Sequence, residues 1–218
     1  MTTAPDQLME VIGILSRLDI RASSVWVSHL ATQSAIEQLA KTPWHDQSLD
    51  RYTNKTRMKE VGGATMGYMI FVGESLVMAL SKSLEDFWID LKMSAKIEYD
   101  IWKSPHHPLF EKDAKIIRSL GNIIKHNMSI IDKAKSEHAK YLVNDAGFPN
   151  DIQLSTILLG ADQQLVLKDI TYLMYLYCLD VLRLTVGFEH PVLKLTEPER
   201  RANVVAHLVP VVLDLNAV

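Results

Sequence analysis

The chain has one cysteine, nine glycines and eight prolines in 218 residues. The single thiol, Cys178, excludes an intrachain disulfide. Neither CxxC nor HExxH spacing occurs, so no metal site is legible and no metal or cofactor is expected. So few glycines and prolines argue against many short strands and tight turns, and for long helices. No run of about 18 uninterrupted apolar residues is present, and the first fifteen residues contain no basic leader. The expectation is a soluble, cytoplasmic chain without a membrane partner. A net charge of −3 excludes a surface that is basic throughout.

Hydrophobic residues make up 48% of the chain and charged residues 22%, enough apolar material for a substantial core. No internal repeat or linker-like shift divides it, so residues 1–218 are read as a single domain. The periodicity predicts an all-α helical bundle of six or seven helices. Leu8, Val11, Ile12, Leu15 and Leu18 form a stripe over 6–20, and a second pattern continues over 24–41. The polar stretch from Asp46 to Glu60 reads as a short exposed helix or a loop. Gly62, Gly63 and Gly67 read as a loop or a flexible helix start. From Met69 to Trp102 the apolar spacing predicts one long central helix of roughly 50 Å. Pro105 and Pro108 end it, with His106 and His107 in an exposed turn.

Residues 110–142 form the next helical region, and residues 144–151 a loop. Ile152, Leu154 and Thr156 alternate with polar residues, which predicts a short extended or hairpin-like excursion near 150–158. Residues 163–186 read as a largely buried helix containing Cys178 as a small packed hydrophobe, with Gly187 as its stop. Thr196, Pro198 and Glu199 carry the start signal of the last helix. The apolar tail 208–215, around Pro210, is a candidate for docking on the body or on a partner.

Chemistry is concentrated in one segment. Arg118, Asn122 and His126 recur every four residues and so share one helix stripe, with steps of about 40°. The pairs Ile116/Ile117 and Ile123/Ile124 lie on other faces and anchor the helix in a core. Residues 111–140 hold seven Lys and Arg against four Asp and Glu, a local excess of three positive charges that suits a phosphate backbone. An imidazole transfers protons near neutral pH, and a guanidinium matches two phosphate oxygens. Arg118, Asn122 and His126 are therefore the candidate catalytic residues. Lys115, Lys125 and Asn127 are candidate RNA-binding residues. Trp44, Trp88 and Trp102 are candidates for base stacking, Trp88 being more at home in the core. Glu85 and Asp86 are candidates for a supporting shell, and His29 reads as a packed histidine.

Gly121, Asn122, Lys125, His126 and Asn127, followed by Ser129, Ile130, Ile131 and Asp132, resemble the signature of the HEPN superfamily. Tyr141, Gly147, Ile152 and Leu154 fit the continuation of that pattern, about 40 residues in all. The resemblance implies an all-helical, often dimeric protein, with metal-independent RNase activity in many members and roles in toxin, defence and RNA-processing systems. It implies two copies of the motif facing each other in a homodimer, with RNA as ligand. The chain departs from the signature at Gly121, which occupies the usual arginine position. Arg118 lies eight residues before His126, a rise of about 12 Å on a helix. The missing cation would then come from a neighbouring subunit or from Lys125. Otherwise the chain would be a non-catalytic module working through a regulatory protein partner. A ligand-binding bundle with an enclosed pocket is a third possibility.

Overall fold

The computed structural model describes residues 4–41, 43, 45–159 and 167–209. Trp44 and the tail from Pro210 onward lie outside the described residues. The architecture is an all-α bundle with seven α-helices among the described residues. They are α1 (Ala4–Lys41), α2 (Arg51–Met93), α3 (Glu111–His126), α4 (Glu137–Asn144), α5 (Leu154–Leu159), α6 (Leu167–Val186) and α7 (Glu197–Leu208).

The two N-terminal apolar patterns merge into one helix, α1. The long central helix is real, yet its limits differ from the sequence expectation. It starts at Arg51 and ends at Met93, about 65 Å in all. Asp50 caps it by accepting from the backbone N–H groups of Tyr52 and Thr53 at 2.8 and 3.0 Å. Gly62, Gly63 and Gly67 lie inside it, not in a loop. A helix interior tolerates glycine at a cost of about 1 kcal/mol each. All three are exposed, and α1 and α2 run side by side as a hairpin. Asn54 secures the turn between them. Its amide donates to the carbonyls of Asp46 and Leu49 at 2.9 and 3.0 Å, and it accepts from the Asp46 N–H at 2.8 Å.

The expected helical region 110–142 is broken. α3 stops at His126, where Asn127 is the cap, and Met128 and Ser129 take left-handed backbone angles (φ +50° and +60°) that reverse the chain. β1 (Ile130–Ile131) then pairs antiparallel with β2 (Ile152–Gln153), with Ile130 opposite Gln153 and Ile131 opposite Ile152. Of the extended excursion anticipated near 150–158, only Ile152 and Gln153 are extended, while Leu154 and Thr156 lie in α5. Ser136 caps α4.

α6 is buried almost all round, from Tyr172 through Leu182, with Cys178 wholly enclosed. It ends at Gly187, whose φ of +73° suits a residue without a Cβ. At α7, Glu199 reaches back to the Thr196 N–H and hydroxyl at 3.1 and 2.7 Å, as the capping signal requires.

One continuous apolar core joins α1, α2, α3, α4, α6 and α7. It contains Ile14 and Leu18 from α1, Leu80, Leu84 and Phe87 from α2, and Ile117, Leu120 and Ile123 from α3. Asp180 on α6 is 1% exposed, and its carboxylate accepts from the Leu109 N–H at 2.8 Å and from Arg183 Nε at 2.6 Å. It thereby ties the 94–110 connection to the core just ahead of α3.

Candidate functional site

α3 is strongly amphipathic. Ala114, Ile117, Leu120, Gly121 and Ile123 face the core, and Lys115, Arg118, Asn122 and His126 run along the more open side. The expected stripe therefore exists. Its side chains are engaged in ways the sequence did not reveal.

Arg118 forms an ion pair with Glu85 of α2 and donates to Ser81 Oγ at 3.3 Å. Lys125 reaches the same Glu85 carboxylate at 3.1 Å. One α2 carboxylate thus holds two of the three cations proposed for RNA. Glu85 supports the motif as anticipated. Asp86 does not, because it pairs with Lys82 and lies 3.9 Å from Arg21 of α1. The Asn122 amide donates to the Arg118 carbonyl at 3.0 Å, one turn back on its own helix. Asn127 donates to Ser136 Oγ at 3.3 Å and so links the end of α3 to the cap of α4. Lys115 pairs with Glu111 at 2.7 Å. His126 is exposed at the C-terminal end of α3.

Gly121 is buried, and a Cβ there would overlap the Cβ and Oγ of Ser81. The position at which the resemblance places an arginine is thus a close approach between α2 and α3. A long cation there has no path to solvent on the His126 side.

The chain brings a second histidine to this face, one that in sequence follows the motif by more than two turns and has no evident partner. His138 on α4 sits with its Nδ1 3.3 Å from Ser119 Oγ. Burial holds its pKa below the ordinary histidine value, and the charges of Arg118 and His126 push it further down. His138 is therefore neutral at neutral pH and available to accept a proton. Trp102, 41% exposed, meets the His138 ring edge-on at 5.7 Å and the Tyr141 ring at 5.1 Å. Lys115 Nζ lies 5.4 Å over the same indole. Burial and the nearby acids Asp145, Glu111 and Asp113 push the Tyr141 phenol up to about 12, so it stays protonated. The sequence signal for His138 was faint, since it lies beyond a chain reversal that helical periodicity does not register.

The other candidates fall elsewhere. Trp88 packs against the core. His106 and His107 lie in an exposed turn, with His107 3.1 Å from Glu111. Among the described residues no group of three or more His, Cys, Asp or Glu is placed to hold a metal. A groove of about 510 Å3 opens on a different face of α3, lined by Asp113, Ile117, Phe148, Asp169 and Leu173 among others.

No protein-family model matches the chain, and no curated protein or solved structure matches it significantly.

Proposed function

We propose that this chain is a HEPN-like protein that acts on RNA from the face formed by α3, α4 and Trp102. The observation that carries this reading is that exposed His126 shares the open side of α3 with Arg118, while His138 of α4 reaches the same helix at Ser119. Metal-independent cleavage needs a base, an acid and a positive group at the phosphate. In this scheme His138 takes the proton of a ribose 2′-hydroxyl, and the 2′-oxygen attacks the adjacent phosphorus. His126 protonates the departing 5′-oxygen. A 2′,3′-cyclic phosphate and a 5′-hydroxyl result. The phosphate competes with Glu85 for Arg118 and Lys125, and Trp102 offers a stacking surface beside them. A homodimer that opposes two copies of α3 adds a second set of cations. The setting is the cytoplasm, in a defence or toxin–antitoxin type of system.

A second reading is favoured by a different observation. Glu85 neutralises both cations, and Gly121 leaves no room for a third. On that reading the chain is a non-catalytic HEPN-like module that works through protein contacts.

Incubating the purified protein with single-stranded RNA in the presence of a chelator separates the two. The nuclease reading expects cyclic-phosphate ends and a loss of at least about 100-fold in His126→Ala and in His138→Ala. Cleavage by neither parent nor variants, or equally by all three, refutes it.

A further inference from the structure

The outer half of the α1–α2 hairpin is not used by the site above. From residue 27 to residue 71, Asn54 is the only buried side chain among the described residues. This arm of α2, from Arg51 to Phe71, is about 30 Å long, and Tyr68 near its inner end packs against the core.

Its outward stripe is a continuation of the inward one. Leu76, Leu80, Leu84, Phe87 and Leu91 are buried at successive spacings of three and four. The same spacing, followed back along the helix, passes through Met69, Met66, Gly62, Met58, Lys55 and Arg51. All these positions fall within an arc of about 80° on a regular helix. The face that packs on the body at one end is open at the other. Met58 is 44% exposed and Met66 56%. Lys59 and Tyr52 border the arc, and Tyr52 is 79% exposed.

Charge decides what this face suits. In a chain of net charge −3, residues 51–60 hold Arg51, Lys55, Arg57 and Lys59 against Glu60 alone, four minus one. Arg57 is 4.0 Å from Asp46. Arg51, Lys55 and Lys59 make no ion pair among the described residues. α2 is also long and apolar enough to cross a membrane, and most of its apolar stretch is not buried in the bundle. A basic, apolar, uncovered helical face matches the boundary of an anionic bilayer. There, thioether and aromatic groups enter the acyl edge, and lysine and arginine stay at the headgroup phosphates. A nucleic acid would reward the cations and leave the methionines in water. A second copy laid in parallel along the stripe would bring like charges together.

We propose that the tip of the α1–α2 hairpin, centred on Arg51, Lys55, Met58, Lys59 and Met66, docks on an anionic lipid surface. Such docking is peripheral and requires no spanning segment. The expectation of no membrane partner rested on the lack of an uninterrupted apolar run, which this mode does not need.

The test is co-sedimentation of the full chain with phosphatidylcholine vesicles, with and without phosphatidylserine. Binding is expected only with phosphatidylserine, and it should weaken as salt is raised. Lys55→Ala/Lys59→Ala should weaken it about 30-fold, at roughly 1 kcal/mol per cation near the surface. Met58→Ser/Met66→Ser should also weaken it, with circular dichroism unchanged. The proposal is overturned if the parent ignores both vesicles or if neither pair of substitutions alters binding. It is overturned equally if the lysine pair alters only retention of single-stranded RNA, or if the methionine pair alters only the molecular mass in solution. All these outcomes are independent of whether His126 cleaves RNA.

Discussion

Substituting Gly121 by alanine adds one methyl group at a close contact between α2 and α3. On an exposed helix this exchange is favourable, by roughly 0.5–1 kcal/mol, because alanine restricts the unfolded chain and favours the helix. At Gly121 the added Cβ would overlap Ser81, whose Cβ is fixed to the backbone of the neighbouring helix. Overpacking of this kind costs about 1–3 kcal/mol. Subtracting the propensity gain leaves a net destabilisation of about 0–2.5 kcal/mol, against a gain where the methyl group is free. For a chain of this size each kcal/mol corresponds to roughly 2–4 °C in Tm. Gly63 supplies the control, because a Cβ there meets nothing within 4 Å. Gly63→Ala should therefore raise stability by about 0.5–1 kcal/mol. Ser81→Gly should relieve the clash, so a double-mutant cycle of Gly121→Ala with Ser81→Gly should give a coupling of at least about 1 kcal/mol. Urea unfolding monitored by circular dichroism reads all four variants. If Gly121→Ala stabilises the protein as much as Gly63→Ala, the close α2–α3 approach is refuted. So is the explanation for the absence of a basic side chain at position 121.

Burial keeps the pKa of His138 and of His190 below the ordinary value, and the unfolded chain therefore takes up protons at these sites more readily. Stability should be complete above about pH 6.5 and should fall as the pH drops through that value toward the folded-state values; His138→Gln should flatten this dependence, as followed by Tm against pH. Asp180→Ala leaves the Leu109 N–H without its buried acceptor and should cost about 2–3 kcal/mol by chemical denaturation, with Asp180→Asn milder because one oxygen remains. Cys178 is fully buried with its thiol pushed up by burial, so a thiol reagent should label the protein only after denaturant is added; rapid labelling of the native chain would contradict the packing of α6. Glu85→Gln frees Arg118 and Lys125 together, and should raise RNA affinity and steepen its salt dependence; unchanged binding would move the RNA off this face of α3.

Much of the fold was legible because its signals are local. Apolar spacing of three and four marks α1, the inner half of α2, α3 and α6, and the caps at Thr196 and Gly187 are chemical properties of a few adjacent residues. The glycine-bearing outer half of α2 was not legible, since glycine disfavours a helix locally and the segment carries few buried positions to mark it. The break after His126 was missed for a similar reason. Met128 and Ser129 take left-handed angles that neither residue type announces, and the pairing of β1 with β2 is what settles the reversal.

The stripe of Arg118, Asn122 and His126 followed from helix geometry alone, because residues four apart on one helix must share a face. What that stripe touches was decided by tertiary structure. Glu85 lies forty residues before Lys125 in sequence, and Ser81 lies thirty-seven before Arg118. No local pattern can report which side chains two packed helices bring together. His138 reached the site, and Gly121 was turned into the α2 contact, only when α3 settled between α2 and α4. Sequence fixes which groups ride on each rod, because a helix repeats. Packing fixes which rods meet, because it depends on the shape of every other part of the core.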